Sequence, residues 1–203
     1  MPPWKTIAIA SAAGFATVGI LSLFSRSARA ATVVGTTRRS RRVALLGDSY
    51  AVGLGPELAK LLPGFEWEGH SGIHTSEWVN RSAQCNGNRG PYMDHEQGCG
   101  SWLTQPDVVL VSLGVNDRDH PNRANYQAIL RSLQELGARV VWIEPPAGVR
   151  TPTDAVRQIV RTLGVETVPA TQTPVGGDGL HPVSYSSWAR EIAQVVQGVG
   201  NVA

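Results

Sequence analysis

The sequence holds only two cysteines in 203 residues, which excludes a disulfide-stapled scaffold and a multi-cysteine zinc site. Charged residues are sparse at 17%, and hydrophobic ones reach 42%, a balance that excludes intrinsic disorder. No segment recurs at a fixed period, so solenoids and propellers are excluded as well. Acidic residues are missing altogether from positions 1–42, where seven basic side chains stand: Lys5, Arg26, Arg29, Arg38, Arg39, Arg41 and Arg42. The rest of the chain therefore carries 11 of the 18 basic residues against all 16 acidic ones, a net charge of −5. A nucleic-acid-binding domain should be basic on its folded part, so no nucleic-acid partner is expected.

What is present at the N-terminus is one uncharged, mostly apolar run of 19 residues, Thr6 to Phe24, preceded by Lys5. As a helix it would span about 28 Å, the thickness of a hydrocarbon core. Ala28-Arg29-Ala30 follows with the small-x-small pattern of a signal-peptide cleavage site. Residues 1–30 read as a removable signal peptide or a membrane anchor, residues 31–42 as a basic linker, and residues 43–203 as one folded domain. Positive charge is heavier after the apolar run than before it, which for a retained anchor would leave the domain in the cytoplasm. The cleavage-like pattern and the many small residues favour the opposite reading, a domain secreted or anchored outside the cytoplasm. Membrane association, if the segment is kept, would run through residues 6–24. The linker is either a solvated tether or a contact for anionic headgroups.

Cys85 and Cys99 fall in a Gly/Asn-rich stretch. A disulfide between them would pin a long loop and would need an oxidising compartment; two unpaired thiols are the alternative. Only His95 lies between them, too little for a zinc site.

From Val43 onward, short apolar runs alternate with helical patterns. Strands are expected at Val43–Leu46, Phe65–Glu68, Asp107–Leu113, Arg139–Ile143 and Val165–Val168. Helices are expected at Gly53–Leu62, Thr75–Asn80, Ala124–Leu136, Asp154–Leu163 and Ser184–Gln197, the last with a serine cap. Strand and helix alternating in this way predict an α/β fold with a five-stranded parallel sheet and helices on both faces. Ligands of such sheets bind outside the carboxyl ends of the strands.

Three of those ends are polar and glycine-rich. The first strand runs into Gly47-Asp48-Ser49, the third into Gly114-Val115-Asn116-Asp117, and the fifth is followed by Asp178-Gly179-Leu180-His181-Pro182. A serine hydroxyl needs a base to take its proton, and an imidazole titrates near neutrality. Asp178, three residues before His181, can hold the ring's tautomer and stabilise the imidazolium. The Asn116 side chain offers an N–H to a developing oxyanion, a donor whose loss typically costs about 3–4 kcal/mol. Gly72, after the second strand, can bring its backbone N–H to the same oxygen because it has no Cβ.

Gly47-Asp48-Ser49, Gly72, Gly114-Val115-Asn116-Asp117 and Asp178-Gly179-Leu180-His181 resemble, in order, blocks I, II, III and V of the SGNH (GDSL-type) hydrolases. The resemblance covers nearly all of the folded part. It implies a flavodoxin-like three-layer α/β/α sandwich and hydrolysis of esters through an acyl-enzyme. On this resemblance Ser49 is the nucleophile, His181 the base and Asp178 its partner. Ser49, Gly72 and Asn116 are the oxyanion donors. Every role is filled by a side chain or a backbone N–H, so no cofactor or metal is called for. The acyl ester is expected to be short, O-acetyl first, on carbohydrate or cell-envelope material. A lipid or lysophospholipid ester is the alternative substrate, and a non-catalytic binding module on the same fold the alternative function.

Other polar and aromatic residues read more plainly. His70 and His74 are four apart, as a metal pair can be, but no third ligand is evident, and solvated loop histidines are the preferred reading. Asp119 and His120 are adjacent, with side chains expected to diverge. Tyr50, Trp78, Trp102 and Tyr185 read as either a wall of the site or core packing, and Trp67 and Trp142 as core.

Overall fold

A computed structural model describes residues 41–80, 105–170 and 172–198. The apolar N-terminal run, Cys85, Cys99, His95 and Trp102 lie outside the described residues. Strand β1 (Val43–Gly47) leads into helix α1 (Ser49–Ala59), β2 (Glu66–Gly69) into α2 (Thr75–Asn80), and β3 (Val108–Ser112) into a 3-10 turn (Val115–Asp117). Helix α3 (Arg123–Glu135), β4 (Arg139–Ile143), α4 (Asp154–Thr162), β5 (Glu166–Val168) and α5 (Tyr185–Gly198) complete the order.

The five strands form one sheet in the order β2-β1-β3-β4-β5, parallel throughout. This is the flavodoxin-like order, with its switch point between β1 and β3. Period-two alternation along each strand divides the core in two. Val43, Leu45, Leu110 and Val141 face α1 and α5, packing with Leu54, Leu58, Trp188 and Ile192. Ala44, Leu46, Val109, Val111 and Trp142 face the other side, with Trp78 of α2, Ile129 and Leu133 of α3, and Val156 and Val160 of α4. The result is the expected three-layer α/β/α sandwich, and both faces of β1 and β3 are covered. That is why these two strands read as continuous apolar runs.

Helix α1 departs from the sequence reading. It starts at Ser49, not Gly53, because Asp48 caps it: its side chain accepts the Tyr50 N–H at 3.0 Å. Gly53 and Gly55 both stand inside the helix. A Cβ on Gly53 would lie 2.3 Å from the Tyr185 ring, and one on Gly55 2.1 Å from the Trp67 ring. Close packing, not a loop, explains both. Elsewhere the elements fall within a residue or two of expectation, and α5 is preceded by Ser184, whose Oγ accepts the Ser187 N–H at 3.3 Å. Trp67, Trp78 and Trp142 are buried in the core.

Leu110 is fully buried at the centre of β3, between β1 and β4. Leu110→Ala is expected to cost about 3 kcal/mol of unfolding free energy, measured by urea denaturation.

Candidate active site

The carboxyl end of β1 lies against that of β3, with Gly47 paired to Ser112. The approach is so close that a Cβ on Gly47 would fall 2.3 Å from the Ser112 carbonyl oxygen, a backbone atom that cannot swing aside. The Asp48 N–H then donates to that same oxygen at 2.9 Å. The chain leaves the sheet there, and Ser49 becomes the first residue of α1. Its backbone N–H therefore has no acceptor within the helix.

The segment Val175–Val183 forms a closed loop. Val175 bridges Pro182 in antiparallel fashion, and the Gly176 N–H donates to the His181 carbonyl at 2.7 Å. Asp178 organises its tip. Oδ1 accepts the N–H groups of Leu180 and His181 at 2.9 and 3.0 Å, and Oδ2 takes the His181 ring at Nδ1, 2.6 Å away. The spacing Asp-x-x-His thus lets one carboxylate close the turn with one oxygen and orient the imidazole with the other. The other ring nitrogen, Nε2, lies 2.9 Å from Ser49 Oγ. The three residues singled out in the sequence are brought into one hydrogen-bonded line.

Electrostatics set the direction of that line. The Leu180 N–H, then the His181 ring and N–H, hold the Asp178 carboxyl down at about 2, so it is ionised at any working pH. An ionised carboxylate can only accept, so Nδ1 carries the proton. In the neutral ring Nε2 is then the acceptor, and the Ser49 hydroxyl donates to it.

Gly72 and Asn116 meet on the other side. Gly72 has φ +82 with open space where a Cβ would point, so left-handed backbone, not crowding, selects glycine. Its loop is tied to β1 by the His70 N–H donating to the Gly47 carbonyl at 3.0 Å. It is tied to the β3 turn by one Asn116 Nδ2–H donating to the Ile73 carbonyl at 2.9 Å. That bond fixes the amide plane and leaves the second N–H of the same nitrogen available. Gly72 and Asn116 both line a cleft of about 690 Å³, whose other walls include His74, Arg118, His120 and Asn125. Every residue lining it is polar or glycine.

Two residues, Asp117 and Tyr50, do more than the sequence suggests. Asp117 accepts from the Thr75 N–H at 3.0 Å, the Thr75 hydroxyl at 2.6 Å and the Tyr126 hydroxyl at 2.8 Å. It thereby ties α2 and α3 to the turn that carries Asn116. The only sequence signal for this is its place beside Asn116. Tyr50, left open as wall or core, is buried in the core, and burial pushes its phenol pKa up. Its hydroxyl donates to the Leu180 carbonyl at 3.0 Å, and its ring stands edge-on to that of His181, 5.9 Å between centroids. It braces the loop from below.

The described histidines outside the line each have an acidic neighbour. His70 Nε2 meets Glu68 Oε1 at 2.5 Å with both side chains buried, so the reading of His70 as a solvated loop residue is corrected. His74, half exposed, lies 3.4 Å from Asp117. Asp119 and His120, expected to diverge, approach to 3.5 Å, although both remain largely exposed. Among the described residues no group of three or more His, Cys, Asp or Glu is placed to hold a metal ion.

Residues 45–201 match the GDSL-like lipase/acylhydrolase family, and the chain belongs to it. It is an SGNH-type serine ester hydrolase, acting on acyl esters. Among solved structures, the psychrotrophic esterase EstA of Pseudoalteromonas is 20% identical with a TM-score of 0.52, over 80% of this chain and 100% of that one. The C-terminal catalytic domain of peptidoglycan O-acetyltransferase A of Streptococcus pneumoniae is 20% identical, TM-score 0.51, over 80% and 96%. An acetyl xylan esterase is 15% identical, TM-score 0.52, over 76% and 99%. At these identities the likeness is one of fold. No curated protein gives a significant match.

Asp48 carries a separate consequence. It is wholly buried, which pushes its carboxyl up to about 7 against the pull of the Tyr50, Val115 and Gly114 N–H groups, with Asp117 adding to the rise. Its Oδ2 has no hydrogen-bond partner among the described residues. The folded state keeps this proton up to about pH 7, whereas the unfolded chain releases it near 4, so stability falls as pH rises through that window. Asp48→Asn, which cannot ionise, should lack that part of the slope. Denaturation midpoints of both proteins from pH 4 to 8 should diverge in the variant's favour as pH rises, by up to about 4 kcal/mol.

Proposed function

We propose that this enzyme removes short acyl groups, acetyl foremost, from hydroxyls of carbohydrate or cell-envelope material, and does so outside the cytoplasm. Ser49 is the nucleophile, His181 the general base and Asp178 its orienting partner. The Ser49 and Gly72 N–H groups and the Asn116 side chain receive the oxyanion. The observation that carries the assignment is the unbroken line Asp178 Oδ2–His181 Nδ1 and His181 Nε2–Ser49 Oγ, at 2.6 and 2.9 Å.

The reaction follows from that line. Ser49 Oγ attacks the ester carbonyl carbon as Nε2 takes its proton, and the carbonyl oxygen becomes an oxyanion facing the N–H donors. The intermediate collapses, the C–O bond to the alcohol breaks, and Nε2 returns its proton to the departing oxygen. Water then attacks the acyl-enzyme with its proton passing to Nε2, releasing the carboxylic acid and restoring Ser49. Asp178 stays ionised throughout and stabilises the imidazolium that forms in each half.

The polar cleft supports a hydrophilic alcohol, since a lipid chain would leave those side chains dry and unpaired. Two proteins of the same fold are named for acetyl groups on polysaccharides, peptidoglycan and xylan, which agrees with an acetylated carbohydrate here. The extracytoplasmic location rests on the apolar run and cleavage-like pattern of the first thirty residues.

Ser49→Ala is expected to lower kcat/KM on p-nitrophenyl acetate by at least about a thousandfold while leaving the thermal midpoint nearly unchanged. Retained turnover would remove the nucleophile assignment. Across p-nitrophenyl esters, kcat/KM should be highest for acetate and decline toward octanoate; a rise with chain length would point to a lipid ester instead.

A further inference from the structure

The geometry points to Arg118 as the receptor for a carboxylate on the sugar, making the substrate an anionic acylated carbohydrate; this rests on the reading of the cleft as the site for the alcohol. Three basic side chains line the cleft, and two have acidic partners: His74 faces Asp117 at 3.4 Å and His120 faces Asp119 at 3.5 Å. Arg118 is exposed and makes no hydrogen bond or ion pair among the described residues. The carboxylate next to it is already committed, because Asp117 accepts from Thr75 and Tyr126. Asp119 is the one carboxylate in the cleft still largely open to solvent, and His120 stands beside it.

The backbone adds a second, independent observation. Asp117 to His120 is a tight turn closed by the His120 N–H donating to the Asp117 carbonyl at 3.0 Å. Arg118 sits at its second position with φ +54 and ψ −122. Those angles belong to a type II′ turn, where that position is ordinarily glycine. A long, charged, β-carbon-bearing side chain is held there with no hydrogen bond or ion pair among the described residues to compensate. Strain of this kind costs stability and clusters where ligands are bound. A guanidinium at the rim of the cleft that holds Gly72 and Asn116 can pair in a planar fork with a carboxylate on a sugar whose ester group lies at those donors.

Competition against p-nitrophenyl acetate hydrolysis tests this without the natural substrate. D-Glucuronate should inhibit more strongly than D-glucose at matched ionic strength, with Ki lower by about fivefold, the scale of a good solvent-accessible ion pair. The gap should narrow as sodium chloride is raised. Arg118→Gly, which suits the turn and should fold at least as well, is expected to bring the two Ki values together; Arg118→Lys should keep part of the gap. Equal inhibition by the two sugars, or an undiminished gap in Arg118→Gly, overturns the assignment. Inhibition by acetate as strong as by glucuronate overturns it too, since the carboxylate would then occupy the acyl end of the site. Failure to deacetylate neutral and uronic sugar acetates, with the glucuronate gap intact, would remove the proposed substrate while leaving Arg118 as an anion receptor.

Discussion

The pairing of Gly47 with Ser112 governs the whole site. Parallel strands place their carboxyl ends side by side, and here the absence of a Cβ lets β1 and β3 close until the Ser112 carbonyl takes the Asp48 N–H. From that point Ser49 departs along α1 and the chain carrying Asn116 departs from β3. The same edge receives the Gly72 loop through the His70 N–H on the Gly47 carbonyl. Segments far apart in sequence reach one edge because the sheet order turns at β1 and β3, which is where open α/β sheets leave a crevice.

Around that edge the protein holds carboxyl groups in three different ways. Asp178 lies at the surface with backbone N–H groups and an imidazole around it, and these keep it charged. Asp48, one residue before the serine, is sealed from water and keeps its proton to about neutrality. Asp117 is largely buried yet surrounded by donors from Thr75 and Tyr126, so it serves as a junction between α2, α3 and the turn bearing Asn116. Environment, rather than residue type, assigns orienting, capping and bracing work to three aspartates.

The cleft is polar because the loop before α2, the start of α2, the turn after β3 and the start of α3 line it without an aliphatic side chain. The apolar residues near the serine have gone inward: Tyr50 and Trp188 pack edge-on at 5.3 Å beneath the Asp178–His181 loop. The Asp178–His181 loop thus rests on a hydrophobic support.

The alternation of apolar strands and amphipathic helices was legible because each strand face is buried and each helix has one buried stripe, patterns of period 2 and 3.6 that survive in one dimension. The residue types for ester chemistry were legible as well, since hydroxyl, imidazole, carboxylate and amide stand at strand ends in short polar motifs. The close packing of Gly53 and Gly55 was not, because the Tyr185 and Trp67 rings reach them from elsewhere in the chain. Nor were the roles of Tyr50 and Asp117, the burial of His70 against Glu68, or the setting of Arg118, which has no ion pair among the described residues. Each of these depends on a partner supplied by another element, or on the lack of one, and on a dielectric set by everything packed around it. Local pattern determined which elements form and which chemistry they carry; only the closing of the sheet decided which groups touch, which stay charged and which remain unpaired.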